Sequence, residues 1–388
     1  MIKFGNTKKA YRLKNTKELY KAFYLYKIIS NNLLVSIGTK FALISLKFGL
    51  PVEYLFRVTI FSQFCAGIEK LDSLKVVEKL KRHNIKSYMH YAAEEVESEE
   101  AMDLCLKNIL ETLSFSEESD ALPFTVFKAT TLGSVFLFKK KSAKLTLNNI
   151  EQKEWVRALE RIETCCKKAK KLNVKILIDA EESWYQPAID EIAEYLMEQF
   201  NGEHAIIFTT LQMYRKDRLD YLKKLCERSR IKSFKIGIKL VRGAYIEKEK
   251  NRAKEFGYSS PICVSKEKTN INFNAAIDYI LPRIKFCNLF LGTHNESSVL
   301  RVTKWMILNG LKNDYSLIWF SQLYGMADHI SFNLAAEGYR VVKYVPYGPV
   351  RKVIPYLIRR AEENTSISGQ TPRELVLIDK ELKRRKGA

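Results

Sequence analysis

Short runs of β-branched and aromatic residues alternate with longer segments of helical period from residue 85 onward. The stretches at 155–172 and 188–200 repeat their apolar positions every three or four residues and are long enough to cross back over a sheet. This alternation predicts repeated β/α units around a parallel sheet. The eight predicted strands lie at 85–94, 124–130, 174–181, 204–212, 236–245, 286–295, 315–325 and 340–348.

Eight β/α units between residues 85 and 348 fit the size of a (β/α)8 TIM-type barrel. An open, doubly wound sheet is the structural alternative, but no GxGxxG motif follows the first predicted strand. We therefore predict an α/β barrel whose last helix lies over the barrel mouth. Its three regions are a basic N-terminal helical arm at 1–84, the catalytic barrel at 85–370 and a basic C-terminal tail at 371–388.

The predicted strands share polar or ionisable residues at their ends. These residues are Glu94, Glu95, Lys128, Asp179, Glu181, Gln212, Arg242, His294, Asn295, Gln322 and Tyr344. Taken alone, Lys128 is explained as an incidental strand-end lysine, Gln212 as part of a solvated turn and His294 as a hydrogen-bonded histidine at a strand end. In a TIM barrel, however, the strand ends converge on one face, where burying unpartnered polar groups costs roughly 2–7 kcal/mol each. Their shared position therefore favours a functional site at that face.

The residue types at this face indicate the chemistry. Its cationic side chains favour an anionic ligand or a phosphorylated cofactor. Histidine occurs at one predicted strand end only, and neither HExxH nor GxSxG is present, so we expect no metal-ligand set and no acyl-transfer machinery. Redox chemistry by an organic cofactor remains. The cations are Lys128, Lys239, Arg242, Arg359 and Arg360.

The segment YLIRRAEEN at 356–364 has helical spacing between its charges. Glu363 lies four residues from Arg359 and three from Arg360, so on a helix it would brace both guanidinium groups. An ordinary exposed charged helix has the same pattern. Because the segment follows the eighth predicted strand directly, we predict that the two arginines face the site and grip a carboxylate.

The net charge of +21 is concentrated near the N-terminus, where the first 60 residues hold eleven Lys or Arg and two acids. This excess implies an anionic partner, either nucleic acid or a lipid surface. The apolar stretch at 33–61 is interrupted too often for a spanning helix, by Lys40, Lys47, Glu53 and Arg57. It fits a helix lying in the membrane interface, and equally a core helix capped by lysines.

The seven cysteines show no CxxC or zinc-ligand spacing, so we expect reduced thiols and an intracellular protein. The polar N-terminus has no apolar core of a signal peptide, although an organellar presequence stays open.

Several motifs resemble those of the proline dehydrogenase family, including the proline dehydrogenase domain of bacterial bifunctional proline-utilisation proteins. They are KLVRGAYIEKE at 239–249, YVPYG followed by YLIRRAEEN, LIDAEESW at 177–184, LGTHN at 291–295 and the strand-end Lys128. The matches occur in order from about residue 85 to 370. The first hundred residues resemble the helical arm of the stand-alone, mitochondrial-like branch.

The resemblance implies FAD as cofactor and L-proline as substrate. As catalytic residues it implies Asp179 and Lys239. As substrate-binding residues it implies Lys128, Tyr344, Arg359, Arg360, Glu363 and Leu323. As flavin-binding residues it implies Ala180, Gln212, Arg242, Gly243, Ala244, Thr293 and His294. The small Gly243 and Ala244 would let an isoalloxazine approach the backbone.

The resemblance also implies a mechanism. Charge pairing to the proline carboxylate would orient C5 toward flavin N5, and hydride loss would give Δ1-pyrroline-5-carboxylate. Tyr344, packed against the ring, would favour proline over hydroxyproline. Lys239 replaces the arginine of many bacterial members, so a bidentate contact becomes a point charge. Electrons would pass to a membrane quinone through peripheral contact of the arm, on the cytoplasmic face or the mitochondrial inner membrane.

Two alternatives stay open. Another FAD-binding TIM barrel, of the methylenetetrahydrofolate reductase type, would need a pterin pocket and a pyridine nucleotide. A basic nucleic-acid-binding protein is compatible with the net charge of +21 and with 21 Phe and 20 Tyr, yet no RNP, zinc-finger or helix-turn-helix pattern is present. We therefore expect no nucleic-acid partner.

Overall fold

The computed structural model describes residues 2–92, 97–366 and 370–387, and for residues 118, 362–366 and 370–371 it describes the backbone alone. Each of the eight predicted strands is confirmed and lies within its predicted range. The strands are β1 Ile85–Tyr91, β2 Phe124–Lys128, β3 Lys175–Asp179, β4 Ile207–Gln212, β5 Ile236–Val241, β6 Cys287–Gly292, β7 Ile318–Leu323 and β8 Val341–Tyr347.

Helices precede the first strand, connect the strands and follow the last one. They are α1 Thr7–Ala10, α2 Thr16–Ile29, α3 Asn32–Lys47, α4 Glu53–Phe56, α5 Ser62–Phe64, α6 Lys70–Lys81, α7 Glu99–Glu118, α8 Val135–Ser142, α9 Asn149–Leu172, α10 Gln186–Phe200, α11 Arg218–Lys232, α12 Ile246–Glu255, α13 Lys266–Ile280, α14 Glu296–Leu308, α15 Asp328–Ala336, α16 Val350–Ser366 and α17 Gln370–Lys386. A π-helical segment spans Arg57–Phe61, and short 3-10 helices span Ala129–Thr131 and Leu281–Arg283.

Hydrogen-bonded strands follow the order β1-β8-β7-β6-β5-β4-β3-β2, so each of β2 to β7 lies beside the next strand in sequence and β1 lies beside β8. The described strand pairs are parallel. A parallel sheet in sequence order is the TIM-type barrel, which confirms the predicted fold class. A doubly wound sheet reverses its strand order at a switch point, and this sheet does not.

The strands form because their side chains are buried on both faces. Every residue of β4 and of β8 is buried, as the continuous apolar runs predict for a covered parallel sheet. Part of the core is aromatic, with the Phe124 ring packed edge-on against Phe208, Phe290 and Trp319 at centroid distances of 5.8, 4.9 and 5.2 Å. This packing supports the strands from which the site residues project.

The chain divides into two compact units. The first comprises Met1–Glu94, His294–Tyr315 and Phe320–Ala388, and the second comprises Glu95–Thr293 and Ser316–Trp319. The predicted region boundaries at 84/85 and 370/371 stay predictions. Within the first unit, residues 371–386 of the expected C-terminal tail are helical as part of α17, where Arg385 Nη2 donates to the Tyr11 carbonyl at 3.0 Å.

The apolar stretch at 33–61 is not one helix, which corrects the prediction of a single interfacial helix. The chain turns at Gly49, whose φ is +66°, and Pro51 follows, so the helix ends and two short segments succeed it. The core-helix alternative is wrong as well, since Leu33, Phe48 and Tyr54 are 69%, 69% and 77% exposed. Among the described residues no single helix is long and apolar enough to cross a membrane, whereas α2 and α3, bent by 96°, meet that requirement together.

Candidate active site

Asp179 and Lys239 form a largely buried ion pair in the second unit. Asp179 ends β3 and Lys239 lies within β5, with Nζ 2.5 Å from Oδ1 and exposed side-chain fractions of 18% and 8%. Between them on β4, the Thr210 hydroxyl donates to the Ile178 carbonyl at 2.8 Å and lies 3.4 Å from Asp179 Oδ1. The Lys239 ammonium also lies over the Phe290 ring. Each charge therefore has a partner within the chain, which a buried pair requires.

Lys128 and Glu181 lie beside this pair. Lys128 ends β2 in register with Asp179, and its ammonium lies 6.0 Å from the Tyr245 ring centroid. The buried Glu181 carboxylate accepts hydrogen bonds from Thr130 N at 3.2 Å and from Thr130 Oγ1 at 2.5 Å. Burial raises the pKa of Glu181 to about 7, although the nearby Lys128 charge lowers it. Glu181 thus changes its charge near neutral pH.

Gln212 holds together the chain segments that follow β3 and β5. Its Nε2 donates to the Glu181 carbonyl at 2.8 Å, and its Oε1 accepts from Ala244 N at 3.2 Å. Gln212 is 3% exposed and Ala180, which precedes Glu181, is 9% exposed. The structure therefore brings three of the predicted flavin residues, Ala180, Gln212 and Ala244, to one place.

Gly243 is required by packing within the chain. Its φ is +131°, a conformation that side chains rarely adopt, and a Cβ atom there would lie 2.1 Å from Tyr214 Cδ1. Tyr214 N also donates to the Arg242 carbonyl at 2.7 Å. The structure thus gives the Tyr214 ring as one reason for the small residue, and its predicted approach to the isoalloxazine stays a prediction.

Arg242 and Thr293 are in direct contact. Arg242 Nη1 donates to Thr293 Oγ1 at 2.7 Å, Nε donates to Asn270 Oδ1 at 2.8 Å, and the guanidinium lies 4.1 Å from the Phe273 ring centroid. Burial lowers the pKa of Arg242 to about 10. A buried cation oriented by neutral oxygens and a ring suits an anionic group such as a pyrophosphate, so these residues fit a dinucleotide flavin. We call Lys128, Asp179, Gln212, Lys239 and Arg242 the strand-end cluster.

His294 and Leu323 form a second group, in the first unit. Leu323 N donates to His294 Nε2 at 3.1 Å, so this nitrogen is an acceptor and the ring proton is on Nδ1. The Leu323 carbonyl accepts from Lys343 Nζ at 3.2 Å, and that ammonium also donates to the Met326 carbonyl at 2.6 Å and to Asp328 at 2.7 Å. The backbone of Leu323 is therefore held on both sides.

Tyr344 lies within β8 rather than at its end, and it is 7% exposed. Its hydroxyl is 2.5 Å from His90 Nδ1, and its ring contacts those of Tyr88 and Tyr356 at 5.3 and 6.0 Å between centroids. His90 was absent from the predicted site. Its only signal was its place in the first predicted strand, two residues after Tyr88, which puts both side chains on one face.

The two predicted carboxylate-binding arginines lie on α16 and neither is fully exposed. Arg360 is 9% exposed, with its guanidinium 5.2 Å from the centroid of Tyr356, and Arg359 is half-buried. The Tyr356 ring contacts both the Arg360 guanidinium and the Tyr344 ring, and so links the two residues. The side chain of Glu363 lies outside the described residues, as do Glu94 and Glu95. We call His90, Tyr344, Tyr356, Arg359 and Arg360 the aromatic–arginine cluster.

Two other predicted strand-end residues have structural contacts. Gln322 is buried within β7 and accepts from Ser331 Oγ at 2.8 Å. Asn295 caps α14 by accepting from Ser298 N at 2.9 Å. A polar residue at a strand end is therefore not sufficient evidence of a site.

Comparison with known proteins identifies the family. Residues 73–373 match the family model described as proline dehydrogenase. The chain is 37% identical over 306 residues to the carbapenem antibiotics biosynthesis protein CarD of Pectobacterium carotovorum subsp. carotovorum, covering 79% of each chain. It is 32% identical over 429 residues to mitochondrial proline dehydrogenase 1 of Dictyostelium discoideum, covering 98% of this chain and 74% of the relative.

Among solved structures, proline utilization A from Bdellovibrio bacteriovorus superimposes with a TM-score of 0.73 at 20% identity. The match covers 95% of this chain and 39% of that longer chain, and it supports the barrel fold. The family match includes every described residue of both clusters. This chain therefore belongs to the proline dehydrogenase family, and this membership supports an oxidoreductase that acts on proline.

Proposed function

We propose that the chain oxidises L-proline to Δ1-pyrroline-5-carboxylate with FAD, as the first step of proline degradation. The observation that carries this proposal is the aromatic–arginine cluster. A buried guanidinium supported by a tyrosine ring, next to a second tyrosine fixed by a histidine, suits a small ring that bears a carboxylate. Proline is such a molecule.

The cluster's residues would each hold one part of the substrate. Arg359 and Arg360 bind the carboxylate, and Lys128 is proposed as a third cation for it. The Tyr344 ring packs against the pyrrolidine, and its hydroxyl stays on His90. Most of the rate then comes from orientation, since a fixed near-attack geometry lowers the barrier by about 7–11 kcal/mol in favourable cases.

The strand-end cluster would hold the cofactor. Arg242 with Thr293 would hold the pyrophosphate, and the two backbone segments at Ala180 and at Ala244, fixed by Gln212, would hold the ring system. FAD, when bound, would supply the acceptor for the hydride from proline C5. The ring nitrogen would first lose one proton to water, its electron pair would form the C5–N double bond as the hydride leaves C5, and the resulting iminium would release the second proton to water. Because Asp179 is engaged by Lys239, we assign this pair to fixing the local field rather than to taking the proton.

The proposal extends to the electron acceptor and the location. The arm exposes Leu33, Phe41, Phe48 and Tyr54 on a segment with a strong excess of positive charge, which supports contact with an anionic membrane. Electrons would then pass to a membrane quinone, at the inner face of a cytoplasmic membrane or at the mitochondrial inner membrane. Binding to anionic vesicles at low salt tests this contact, and a protein that ignores such vesicles contradicts it.

One spectroscopic experiment tests the central proposal. The purified protein is expected to show flavin absorption bands, which disappear when L-proline is added without oxygen and do not change when NADH is added. Bleaching by NADH and not by proline would instead identify an enzyme of the methylenetetrahydrofolate reductase type. Absence of flavin after reconstitution with FAD would contradict the cofactor assignment.

A further inference from the structure

An apolar groove of about 580 Å³ lies within the first unit, between α2, α3, the segment 55–63 and α16. Most of its walls are aliphatic, and its size is that of a site for a small molecule or a single chain. Five of its apolar side chains are also 40–52% exposed, so the groove is open to solvent as it stands. These five are Ile28, Leu34, Phe41, Leu55 and Val58.

Three polar side chains in the walls, those of Thr59, Ser62 and Gln63, donate to the protein's own backbone, whereas the buried Thr39 hydroxyl does not. Ser62 Oγ donates to the Thr59 carbonyl at 2.8 Å, and Thr59 Oγ1 donates to the Leu55 carbonyl at 2.5 Å. Gln63 Nε2 donates to the Gly325 carbonyl at 2.6 Å. The interior therefore presents hydrocarbon, which favours a methylene chain over a polar head group.

Most of the described charged side chains on the segments around the groove are positive. Lys21 is the charged residue among its described lining residues, and Lys40, Lys47 and Arg57 are exposed on the same segments. Of the acids described there, Glu18 accepts from Asn15 N at 2.7 Å at the start of α2, and Glu53 is paired with Arg351 at 2.8 Å. Apolar walls below a cationic rim are complementary to an anionic amphiphile. A neutral quinone ring carries no negative charge that could pair with these cations.

We propose that the groove takes one acyl chain of an anionic phospholipid, with the phosphate bound by Lys21 and its cationic neighbours. This inference rests on the proposed membrane contact of the arm and does not depend on the flavin chemistry. A chain drawn from the bilayer covers the exposed walls and removes their apolar surface from water. The arm is thereby held on the membrane by a specific site as well as by its charge.

Gly38 makes the groove testable. It lies in α3 and lines the groove, and a Cβ atom there would meet nothing within 4 Å. A Gly38→Trp side chain therefore enters open space, and removing a mid-helix glycine does not weaken the helix. Ser36→Trp is the matched control, because Ser36 is exposed on the same helix and does not line the groove.

The experiment uses the full-length, flavin-loaded protein with vesicles of phosphatidylcholine with or without phosphatidylglycerol. Phosphatidylglycerol carrying a spin label on its acyl chain reports the groove directly. We expect an immobilised lipid signal with the unaltered protein and with Ser36→Trp, and about tenfold weaker lipid retention with Gly38→Trp. Proline oxidation measured with a soluble dye acceptor should be the same in all three.

Three outcomes would overturn the proposal. Gly38→Trp retaining the labelled lipid as well as Ser36→Trp would mean that the groove is not the site. Equal retention of labelled phosphatidylcholine would remove the role of the cationic rim. Displacement of the lipid by a long-chain quinone at equimolar amounts would make the quinone tail the occupant. Failure of proline oxidation with normal lipid retention would instead contradict the proposed function and leave this inference standing.

Discussion

The strand-end cluster and the aromatic–arginine cluster hold their cations in different ways. In the strand-end cluster, Lys239 is paired with a carboxylate, and Arg242 is held by neutral oxygens and a ring. In the aromatic–arginine cluster, the Arg360 guanidinium lies 5.2 Å from the centroid of the Tyr356 ring. A ring contact uses the face of a guanidinium, whereas a carboxylate is bound by its edge. The strand-end cluster, whose cations are held by partners within the chain, therefore suits a fixed binding surface. The aromatic–arginine cluster suits recognition of a small anion.

This difference separates stability from substrate binding. Changes in the strand-end cluster should alter mainly the free energy of unfolding, since they remove the charged or hydrogen-bonding partners of buried groups. Changes in the aromatic–arginine cluster should alter mainly the proline KM. Four substitutions test the contrast, from the largest expected effect to the smallest.

Asp179→Ala should cause the largest loss, because the Lys239 ammonium, 8% exposed, would lose its carboxylate. We expect the free energy of unfolding to fall by about 3–5 kcal/mol in urea denaturation. The double variant Asp179→Ala/Lys239→Met removes the unpaired charge as well and should recover most of that stability. A single variant as stable as the unaltered protein would show that the pair does not support the fold.

Glu181→Gln should change how stability depends on pH. The folded-state pKa is about 7 and the ordinary value is 4.5, so between these two pH values the unfolded chain has lost the proton that the folded chain keeps. The Glu181 contribution therefore falls as pH rises through this window and levels off above about pH 7, with a total change of order 3 kcal/mol. Urea denaturation across the window should give a steeper decline for the unaltered protein than for the variant, and parallel curves would contradict the assignment.

Arg360→Ala should raise the proline KM by about 10- to 150-fold, the loss of a charge-assisted hydrogen bond of about 1.5–3 kcal/mol. Thermal stability should change little. Arg351→Ala is the matched control, because Arg351 lies on the same helix and pairs with Glu53, outside the cluster. An unchanged proline KM for Arg360→Ala in a flavin-reduction assay would disprove the carboxylate clamp.

Tyr344→Phe should have the smallest effect of the four. It removes the hydroxyl from His90 and keeps the ring, so the proline KM should rise by about two- to tenfold, equivalent to about 0.5–1.5 kcal/mol. Preference for proline over hydroxyproline should persist, because the ring that would crowd a 4-hydroxyl is still present. An unaltered enzyme that prefers hydroxyproline would contradict the role given to Tyr344.

The sequence predicted the barrel, and it predicted that several residues of the strand-end cluster lie close together at the strand ends. Lys128, Asp179 and Gln212 all end their strands, so the ends of a parallel sheet bring them together. Gln322 and Asn295 occupy equivalent positions in sequence and are instead engaged by a helix serine and a helix start. Position along a strand therefore identifies candidates, and the neighbouring elements decide which of them face a ligand.

The arm was predicted less well, for a physical reason. Its apolar pattern is compatible with burial or with a lipid surface, because both environments favour apolar side chains. Burial depends on whether another element covers the helix. For Leu33 and Phe48, 69% exposed, none does.

The amino-acid sequence by itself determined the eight strands, their order and the helical arm, since these follow from local periodicity and turn residues. Only the tertiary structure decided the partners of the charged and aromatic groups. Asp179 meets Lys239 across 60 residues, and His90 meets Tyr344 across 254. Such pairs depend on strand register and side-chain packing, which no local pattern contains. The same holds for Gly243, whose lack of a side chain is explained within the chain by the Tyr214 ring that lies against it.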